Sequence, residues 1–418
     1  MLIRPKFFYT KCNTFDVIRS FYYIINFLWK RKGGTMKEEA KSRKQKALAF
    51  AGIIVGAIFA LTLMGNLDTA DARGGHRHFA DAGKKWYKKY HKKHKKHKET
   101  VSVECGQTIG PGGYFRLDAD LDCSDPATAS GFEAALMVVG PVTLDLRGHS
   151  IIGHSGLDGI LVDGEKVNIR NGTVTGFYNG VVLGGDGQHK VFRINAVDNV
   201  EWGFAVYSDD NRLTFNRAND NGDNGFYFMS NNNWFVKNRA ERNGDEGFYG
   251  PAEAGRNKIF MNRAIGNLQD GIQVVGNENR VMHNFAKDNG YDENGKVYNG
   301  GYDGFEIDGD LNFVYKNRSL NNSQNGFELD GQANKMFKNM ALQNQEYGLF
   351  VEDKSDVTDN VISRNIFKEN AKFDIFDEEY DNFLNDKVKL GISDELGYCE
   401  RNTWKRNKFE TSNVDCIE

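Results

Sequence analysis

The chain has 418 residues, of which 27% are charged and 12% aromatic, and its formal net charge at pH 7 is −3. The charge is unevenly divided: residues 1–72 carry +7 (12 basic, 5 acidic), residues 73–98 carry +10 (11 basic, 1 acidic), and residues 99–418 therefore carry about −20. So acidic a region disfavours nucleic acid as a partner, and the basic segment before it is too densely charged to bury a core of its own.

Residues 36–72 have the pattern of a secretory signal peptide. The uncharged apolar stretch 47–64 follows a basic segment, and Ala70-Asp71-Ala72 provides a small-residue cleavage site. Cleavage after Ala72 would leave no stable membrane span and would make the protein secreted, periplasmic or bound at the cell surface. Because 18 apolar residues approach the length of a membrane span, an uncleaved signal anchor is the alternative.

Residues 1–35 do not fit ahead of a signal peptide. Lys32-Gly33-Gly34, shortly before Met36, is what a bacterial ribosome-binding sequence looks like when it is translated. We therefore interpret Met36 as the true start of the protein and residues 1–35 as a misannotated upstream extension.

Residues 73–100 form a Lys/His-rich basic tail, which we predict to be disordered because its like charges repel one another. Such a tail could hold an anionic surface by screened electrostatic attraction. The alternative is a solvated linker, and the spacing of its histidines matches no specific metal site.

Residues 142–376 repeat with a period of about 22 residues. Asparagine recurs in three columns and glycine in a fourth, which predicts a solenoid. The segments between them are too short for helices and alternate apolar with polar residues, so we predict strands. The columns run from Asn211 to Asn334, from Asn216 to Asn360, from Asn221 to Asn365 and from Gly159 to Gly348, and the inward apolar columns run from Leu213 to Val357 and from Phe204 to Leu349.

Asparagine and glycine are expected at the corners of each rung for steric reasons. Asparagine tolerates a left-handed backbone and its amide can bond to the amide one rung away, and glycine also tolerates that backbone.

Four cysteines of the mature chain fall as one pair near each end of this domain. An even number of cysteines in an exported protein predicts disulfides. We predict Cys105–Cys123 and Cys399–Cys416, each closing an end at which a solenoid exposes its core.

Side chains alternate along a strand, so the second and fourth residues after each column glycine should point outward. Along the rod these positions change from aromatic to acidic. The predicted sugar-binding residues are Tyr207, Tyr227, Tyr249, Tyr302 and Phe350. The predicted acidic group, which is either catalytic or a calcium site, comprises Glu306, Asp308, Glu328 and Asp330, with Glu352 as a further metal ligand.

Calcium or a raised pKa could offset the repulsion between stacked carboxylates, and a solvated acidic surface is the third interpretation. An insertion at residues 290–302 is expected to overhang this acidic group. The basic column Arg217, Arg239, Arg263 and Arg318 is interpreted as neutralising acids of its own turn, in preference to binding an anionic chain.

The chain resembles secreted bacterial right-handed parallel β-helix proteins of the pectate-lyase-like superfamily. The resemblance rests on residues 105–109 and 142–151, on the repeats, and on Asn402-Thr403-Trp404 with Cys416. It implies an all-β fold: a right-handed parallel β-helix of roughly ten rungs, with an N-terminal cap at 101–141, repeats at 142–376 and a C-terminal cap at 377–418. That superfamily is functionally mixed, and the local signatures of its polysaccharide-active enzymes are missing here.

Three hypotheses about function follow. The first is an exported protein that binds an extracellular or cell-surface polysaccharide along the aromatic and acidic face, with calcium as a candidate cofactor. The second is a polysaccharide lyase, hydrolase or epimerase that uses the stacked carboxylates. The third is a non-catalytic structural rod on the cell surface.

Overall fold

The computed structural model describes residues 103–126, 131–352, 357–378 and 402–413. The upstream extension, the signal peptide, the basic tail and the Cys399–Cys416 pair lie outside these ranges. Within them the chain forms 33 short strands, and no helix is long and apolar enough to cross a membrane.

The strands coil into three parallel stacks, so that each rung contributes to every stack in turn. The first stack is a twelve-stranded sheet. Its members are β1 (Gln107–Ile109), β4 (Ala134–Val139), β7 (Asp158–Asp163), β9 (Val181–Leu183), β11 (Phe204–Val206), β14 (Phe226–Phe228), β17 (Phe248–Gly250), β20 (Ile272–Val274), β23 (Phe305–Ile307), β26 (Phe327–Leu329), β29 (Leu349–Val351) and β32 (Ile375–Asp377).

The second and third stacks share two longer strands that continue through the corner, β8 (Asn168–Thr175) and β10 (Lys190–Val197). The other members of the second stack are β2 (Tyr114–Arg116), β5 (Thr143–Asp145), β12 (Arg212–Thr214), β15 (Trp234–Val236), β18 (Lys258–Phe260), β21 (Arg280–Met282), β24 (Phe313–Tyr315), β27 (Lys335–Phe337), β30 (Val361–Ser363) and β33 (Thr403–Lys405). The other members of the third stack are β3 (Leu121–Asp122), β6 (Ser150–Ile152), β13 (Arg217–Asn219), β16 (Arg239–Glu241), β19 (Arg263–Ile265), β22 (Phe285–Lys287), β25 (Arg318–Leu320), β28 (Met340–Leu342) and β31 (Ile366–Lys368).

The core lies inside the coil, where like residues stack on like. Phe204, Phe226 and Phe248 are fully buried, and their rings stack with centroids 4.7 and 4.6 Å apart. The predicted inward columns are confirmed, except for one member: Met336 pairs with Ile362, so Val357 does not belong to its column.

Three ladders of buried asparagines hold the corners. The backbone N–H of Asn216 donates to Oδ1 of Asn238 at 2.9 Å, and the backbone N–H of Asn238 donates to Oδ1 of Asn262 at 2.8 Å. The Nδ2 of Asn238 donates back to the carbonyl oxygen of Leu213 at 2.9 Å. Each asparagine therefore bonds rungs on both sides of its own, although among the described residues the buried Nδ2 groups of Asn312 and Asn334 have no hydrogen-bond partner.

The reason predicted for the asparagines was half wrong. The left-handed residue of each corner is the one before the ladder, such as Asn232 (φ 59°), Lys237 (φ 55°) and Arg242 (φ 52°), and no ladder asparagine has a positive φ. The preceding residue makes the turn, and the turn then aims the asparagine side chain along the ladder. Long and charged side chains are accepted at the left-handed position because they point into solvent.

The column glycines also have a different reason from the one predicted. Gly225 does not have a left-handed φ, but a Cβ there would lie 2.8 Å from Ala240 Cβ, Asn243 Nδ2 and the carbonyl oxygen of Gly247. Glycine is required by the close approach of the next rung, and Gly203, Gly247 and Gly271 show the same contacts with their own neighbours.

The last asparagines of the predicted columns were assigned to the wrong ladders. The rung from Asn334 to Asn360 spans 26 residues, and Asn360 Oδ1 accepts the N–H of Asn334. Asn360 thus extends the first ladder and Asn365 the second, while Asn370 extends the third. Four extra residues in this rung moved each asparagine one column along in the sequence-based alignment.

The first predicted disulfide is confirmed: Cys105 and Cys123 are bonded, with Cα atoms 5.7 Å apart. It links the two sides of the first described rung, because Cys105 lies two residues before β1 and Cys123 directly follows β3. The prediction of a parallel β-helix of roughly ten rungs is also confirmed.

Replacing Asn238 by alanine should destabilise the protein by about 1–3 kcal/mol, because it leaves the N–H of Asn216 buried without its partner and removes the side-chain hydrogen bond to the carbonyl of Leu213. Denaturant unfolding, followed by circular dichroism, measures this. The matched control Asn294→Ala lies on the exposed inserted loop and should change stability by less than about 0.5 kcal/mol. Equal effects of the two substitutions would contradict the structural role of the ladder.

Candidate functional site

The outward surface of the first stack, from β11 to β32, presents one aligned row of side chains. The middle residues of successive strands pair in register. They are Ala205, Tyr227, Tyr249, Gln273, Glu306, Glu328, Phe350 and Phe376. The predicted outward positions therefore share a single surface, which we call the first-sheet face.

A second row on this face was missed by the sequence reasoning. It is formed by the residues immediately before each column glycine: Trp202, Asn224, Glu246, Asp270, Asp303, Asn325 and Tyr347. The repeat contained a signal, because this position is acidic in three successive rungs, at Glu246, Asp270 and Asp303, leading up to the rung that contains Glu306.

An aromatic cluster occupies the N-terminal half of the face. The Trp202 and Tyr227 rings stack with centroids 4.5 Å apart and an interplanar angle of 9°. Tyr207 meets both rings edge-on, and Tyr249 follows Tyr227 at 5.8 Å. Tyr207 is 44% exposed, and partial burial beside Tyr227 raises its pKa to about 12, so the hydroxyl stays protonated. The structure brings the three predicted tyrosines together and adds Trp202.

A carboxyl cluster occupies the middle of the face. Burial, together with the charge of Asp270, raises the pKa of Glu306 to about 9. Burial beside Glu306 and Asp330 raises the pKa of Asp308 to about 8, and burial raises that of Asp270 to about 7. Glu306 is hydrogen-bonded to both Asp270 and Asp308. Carboxyl groups can bond to each other only through a proton, so this cluster holds protons at neutral pH.

Three further acidic residues extend the cluster along the rod. Asp303 is buried, which raises its pKa well above the ordinary value, and it is hydrogen-bonded to Glu328. Glu328 also accepts a hydrogen bond from Nδ2 of Asn325 at 3.0 Å. On the other side, burial beside Asp245 raises the pKa of Glu246 to about 8.

The predicted acids thus fall within one larger group. Glu306 and Glu328 lie on the adjacent strands β23 and β26, Asp308 and Asp330 directly follow these strands, and Glu352 holds the same position on the next rung. Gln273 Nε2 donates to Oδ2 of Asp308 at 3.3 Å.

A second aromatic cluster lies beyond the acids, and only Phe350 of this cluster was predicted. Tyr347 stacks on Phe376 with centroids 4.7 Å apart, and Phe350 lies 5.5 Å from Tyr347. Phe373 adds an exposed edge at 5.9 Å from Phe376. The carboxyl cluster is therefore flanked by aromatic surfaces on both sides along the rod.

The inserted loop contributes to the face mainly at its end. Tyr302, stacked on Tyr298 at 6.1 Å, has its pKa raised by burial and by the nearby charges of Asp270 and Asp245. The start of the loop, Tyr291–Glu293, instead lines a depression of about 370 Å³ together with Arg242 and Leu268. Overhang of the acids is therefore limited to Tyr302.

No group of three or more His, Cys, Asp or Glu side chains among the described residues is arranged to hold a metal ion. Glu306, Asp308 and Glu328 instead bond to other carboxyl groups or to amide donors. Calcium binding by Glu306, Asp308, Glu328, Asp330 and Glu352 remains a proposal.

The raised pKa values predict that stability falls as pH rises. Unfolded carboxyl groups titrate near 3.8 or 4.5, whereas Asp270, Asp308 and Glu306 titrate near 7, 8 and 9 in the folded protein. Between these limits the folded state binds more protons, so the free energy of unfolding decreases with pH. We expect the denaturant concentration at the unfolding midpoint to decrease as the pH is raised from about 5 to about 9.

Glu306→Gln with Asp308→Asn should flatten this pH dependence, because the substituted side chains no longer titrate. The control pair Glu253→Gln with Asp209→Asn removes two exposed acids and should leave the slope unchanged. A wild-type slope in the Glu306/Asp308 variant would show that the protons are held elsewhere.

Comparison with known proteins identifies the family. The family described as a right handed beta helix region matches residues 143–252 and 252–388, more than half of the chain. No curated protein sequence matches the chain.

Similar solved structures include the periplasmic alginate epimerase AlgG, at 12% identity and a TM-score of 0.38, with 72% of this chain and 84% of that chain covered. They also include the A-module of the mannuronan C-5 epimerase AlgE6 from Azotobacter vinelandii (13%, TM-score 0.42, 66% and 87% covered). A third is an alginate lyase from Paenibacillus sp. str. FPU-7 (14%, TM-score 0.38, 60% and 97% covered). Such distant likenesses carry no functional argument, but the family match agrees with the three parallel stacks: this chain belongs to the right-handed β-helix family.

Proposed function

We propose that the protein is exported and binds an extracellular or cell-surface polysaccharide along the first-sheet face. The observation that carries this proposal is the order of surfaces along the rod: an aromatic cluster, a carboxyl cluster and a second aromatic cluster in one register. A linear polymer lying along the rod would meet all three.

The aromatic clusters supply the apolar part of such a site. Sugar rings present C–H faces that pack on aromatic rings, and exposed aromatic surface in a concentrated patch is typical of binding surfaces. Tyr207 and Phe373 are 44% and 36% exposed, so ring surface at both clusters is accessible.

The carboxyl cluster supplies the polar part. Protonated carboxyl groups both donate and accept hydrogen bonds, which suits the hydroxyl groups of a sugar. Their raised pKa values keep the centre of the face largely uncharged near neutral pH, so binding there does not require calcium. Calcium remains an alternative way to offset the repulsion when these groups ionise, and the basic tail is proposed to attach to an anionic surface.

A second candidate, a polysaccharide hydrolase, lyase or epimerase, is favoured by one specific observation. Glu246, Asp308 and Glu306 have pKa values of about 8, 8 and 9, which would keep a general acid protonated at neutral pH. A neighbour that ionises more readily, such as Asp270, could act as the base.

Tyr227→Ala with Tyr249→Ala should weaken binding of the polysaccharide by about tenfold or more, because two stacking surfaces are lost. Co-elution of protein and glycan in size-exclusion chromatography, across a panel of neutral and acidic polysaccharides, first identifies the ligand and then measures the loss. The control Tyr291→Ala removes a tyrosine from the start of the inserted loop, which lines a separate depression outside the first-sheet face, and should bind normally.

The same chromatography separates the candidate functions. Glycan that co-elutes at full length supports binding, and shortened chains that disappear with Glu306→Gln and Asp308→Asn support the enzyme. Repeating the assay with calcium and with a chelator tests whether glycan binding depends on calcium. If no glycan binds under any of these conditions, the proposal is wrong and the protein is better described as a structural rod.

A further inference from the structure

A different surface of the rod carries positive charge only. Each rung between Arg212 and Ile366 contributes four residues to this surface. They are the two outward residues of its second-stack strand, the left-handed residue that follows this strand, and the first residue of its third-stack strand. Within this surface, all positions of which are described, no residue is acidic. Its twelve basic residues are Arg212, Arg217, Lys237, Arg239, Lys258, Arg263, Arg280, Lys316, Arg318, Lys335, Lys338 and Arg364. We call this surface the cationic ridge.

The ridge stands out against the charge of the domain. Residues 99–418 carry about −20, yet the nearest acidic positions lie beside the ridge, at Asp210, Glu278 and Asp359 before it and at Glu241 after it. The basic residues were expected to neutralise acids of their own turn. Arg239 does pair with Glu241, but the other eleven form no ion pair with a described acidic residue.

Aromatic side chains lie beneath the cations and support them. Lys258 stands 3.9 Å from the ring centroid of Trp234, and Lys237 stands 5.2 Å from that of Phe215. Further along, Lys316 covers Tyr315 at 5.1 Å and Lys338 covers Phe337 at 4.9 Å. Each such contact contributes about 0.5–1 kcal/mol at an exposed site, which partly offsets the repulsion between cations on neighbouring rungs.

We infer that the cationic ridge is a second binding surface, which takes a linear anionic polysaccharide bearing carboxylate or sulfate groups. Rungs about 4.8 Å apart set the basic residues in a straight row that an extended, regularly charged chain can follow. Seven rungs give the row a length of about 29 Å. The site is distinct from the first-sheet face, and it does not depend on what that face binds.

Nucleic acid fits this surface less well for two reasons. Single strands bind by stacking successive bases on open aromatic faces, whereas here Phe215, Trp234, Tyr315 and Phe337 each have a lysine ammonium over one ring face, which leaves less open ring surface for bases. A duplex turns once in about 34–36 Å, so its phosphates would rotate away from a straight row of this length.

Lysine footprinting on the full chain tests the inference and separates the ridge from the basic tail. Polygalacturonate is added before brief acetylation, and labelling is read at each lysine by mass spectrometry. We expect at least about threefold slower labelling of Lys237, Lys316, Lys335 and Lys338, reversed by roughly 0.5 M salt. Lys166 and Lys296 lie outside both the ridge and the first-sheet face and should label as before.

A matched pair of variants gives a second measurement. Lys316→Gln with Lys338→Gln should weaken polygalacturonate binding by about threefold or more, as expected for two exposed ionic contacts, without lowering stability. Lys166→Gln with Lys296→Gln removes the same charge from two exposed residues outside the ridge and the first-sheet face, and should leave the affinity unchanged. Tyr227→Ala with Tyr249→Ala should also leave protection of the ridge lysines unchanged.

Three results would overturn the inference. Protection confined to the tail lysines would place the polyanion there. Equal protection by neutral dextran would remove the charge argument. Stronger protection by a single-stranded oligonucleotide at equal charge concentration would assign the ridge to nucleic acid.

Discussion

Everything in this rod depends on one hydrogen-bonding arrangement, the ladder of buried asparagine side chains. At each corner the strand pairing is interrupted, and the backbone N–H groups there point along the rod axis without a strand partner. The Oδ1 of an asparagine on the next rung accepts the hydrogen bond from each of these N–H groups, and its Nδ2 donates to a carbonyl of the preceding rung. Asn238 bonds in this way to the N–H of Asn216 and to the carbonyl of Leu213. A buried polar group that is fully satisfied in this way fixes position, whereas a single unmatched one would cost about 1–3 kcal/mol.

With the corners fixed, the outward surfaces become independent of the core. Each surface of the rod repeats one sequence position per rung, so its chemistry can change along the rod without any change in packing. That is why buried phenylalanines continue beneath the first-sheet face while the outward row passes from tyrosine to glutamate to phenylalanine. It is also why a domain of strongly negative net charge can carry a long surface with no acid in it.

The fold and much of the candidate site could be predicted because successive repeats of the sequence can be aligned with one another. Glycine and asparagine columns gave the register, and the register placed Tyr227, Tyr249, Glu306 and Glu328 in one row, as the structure confirms. Trp202, Asp270 and Asp303 were missed because a residue next to a column glycine was treated as part of the turn. The role of glycine could not be read from the sequence either: the requirement at Gly225 comes from atoms of the next rung, which are remote in sequence. The last rung was misaligned in the sequence analysis, because the longer connection between Asn334 and Asn360 placed Asn360 where the asparagine of the next column was expected.

The inserted loop shows how this scaffold accommodates change. Asn279 and Asn312 are 33 residues apart, yet their ladder bond of 2.7 Å equals the bond between Asn257 and Asn279, which are 22 apart. The register is restored within one rung, so the lengthened connection imposes no strain on the rungs above and below. Such a solenoid can acquire, lose or exchange a surface loop in a single evolutionary step and still fold. New recognition elements can therefore be sampled in this lineage at little risk to the scaffold, and the same corner is a rational place to graft a foreign loop.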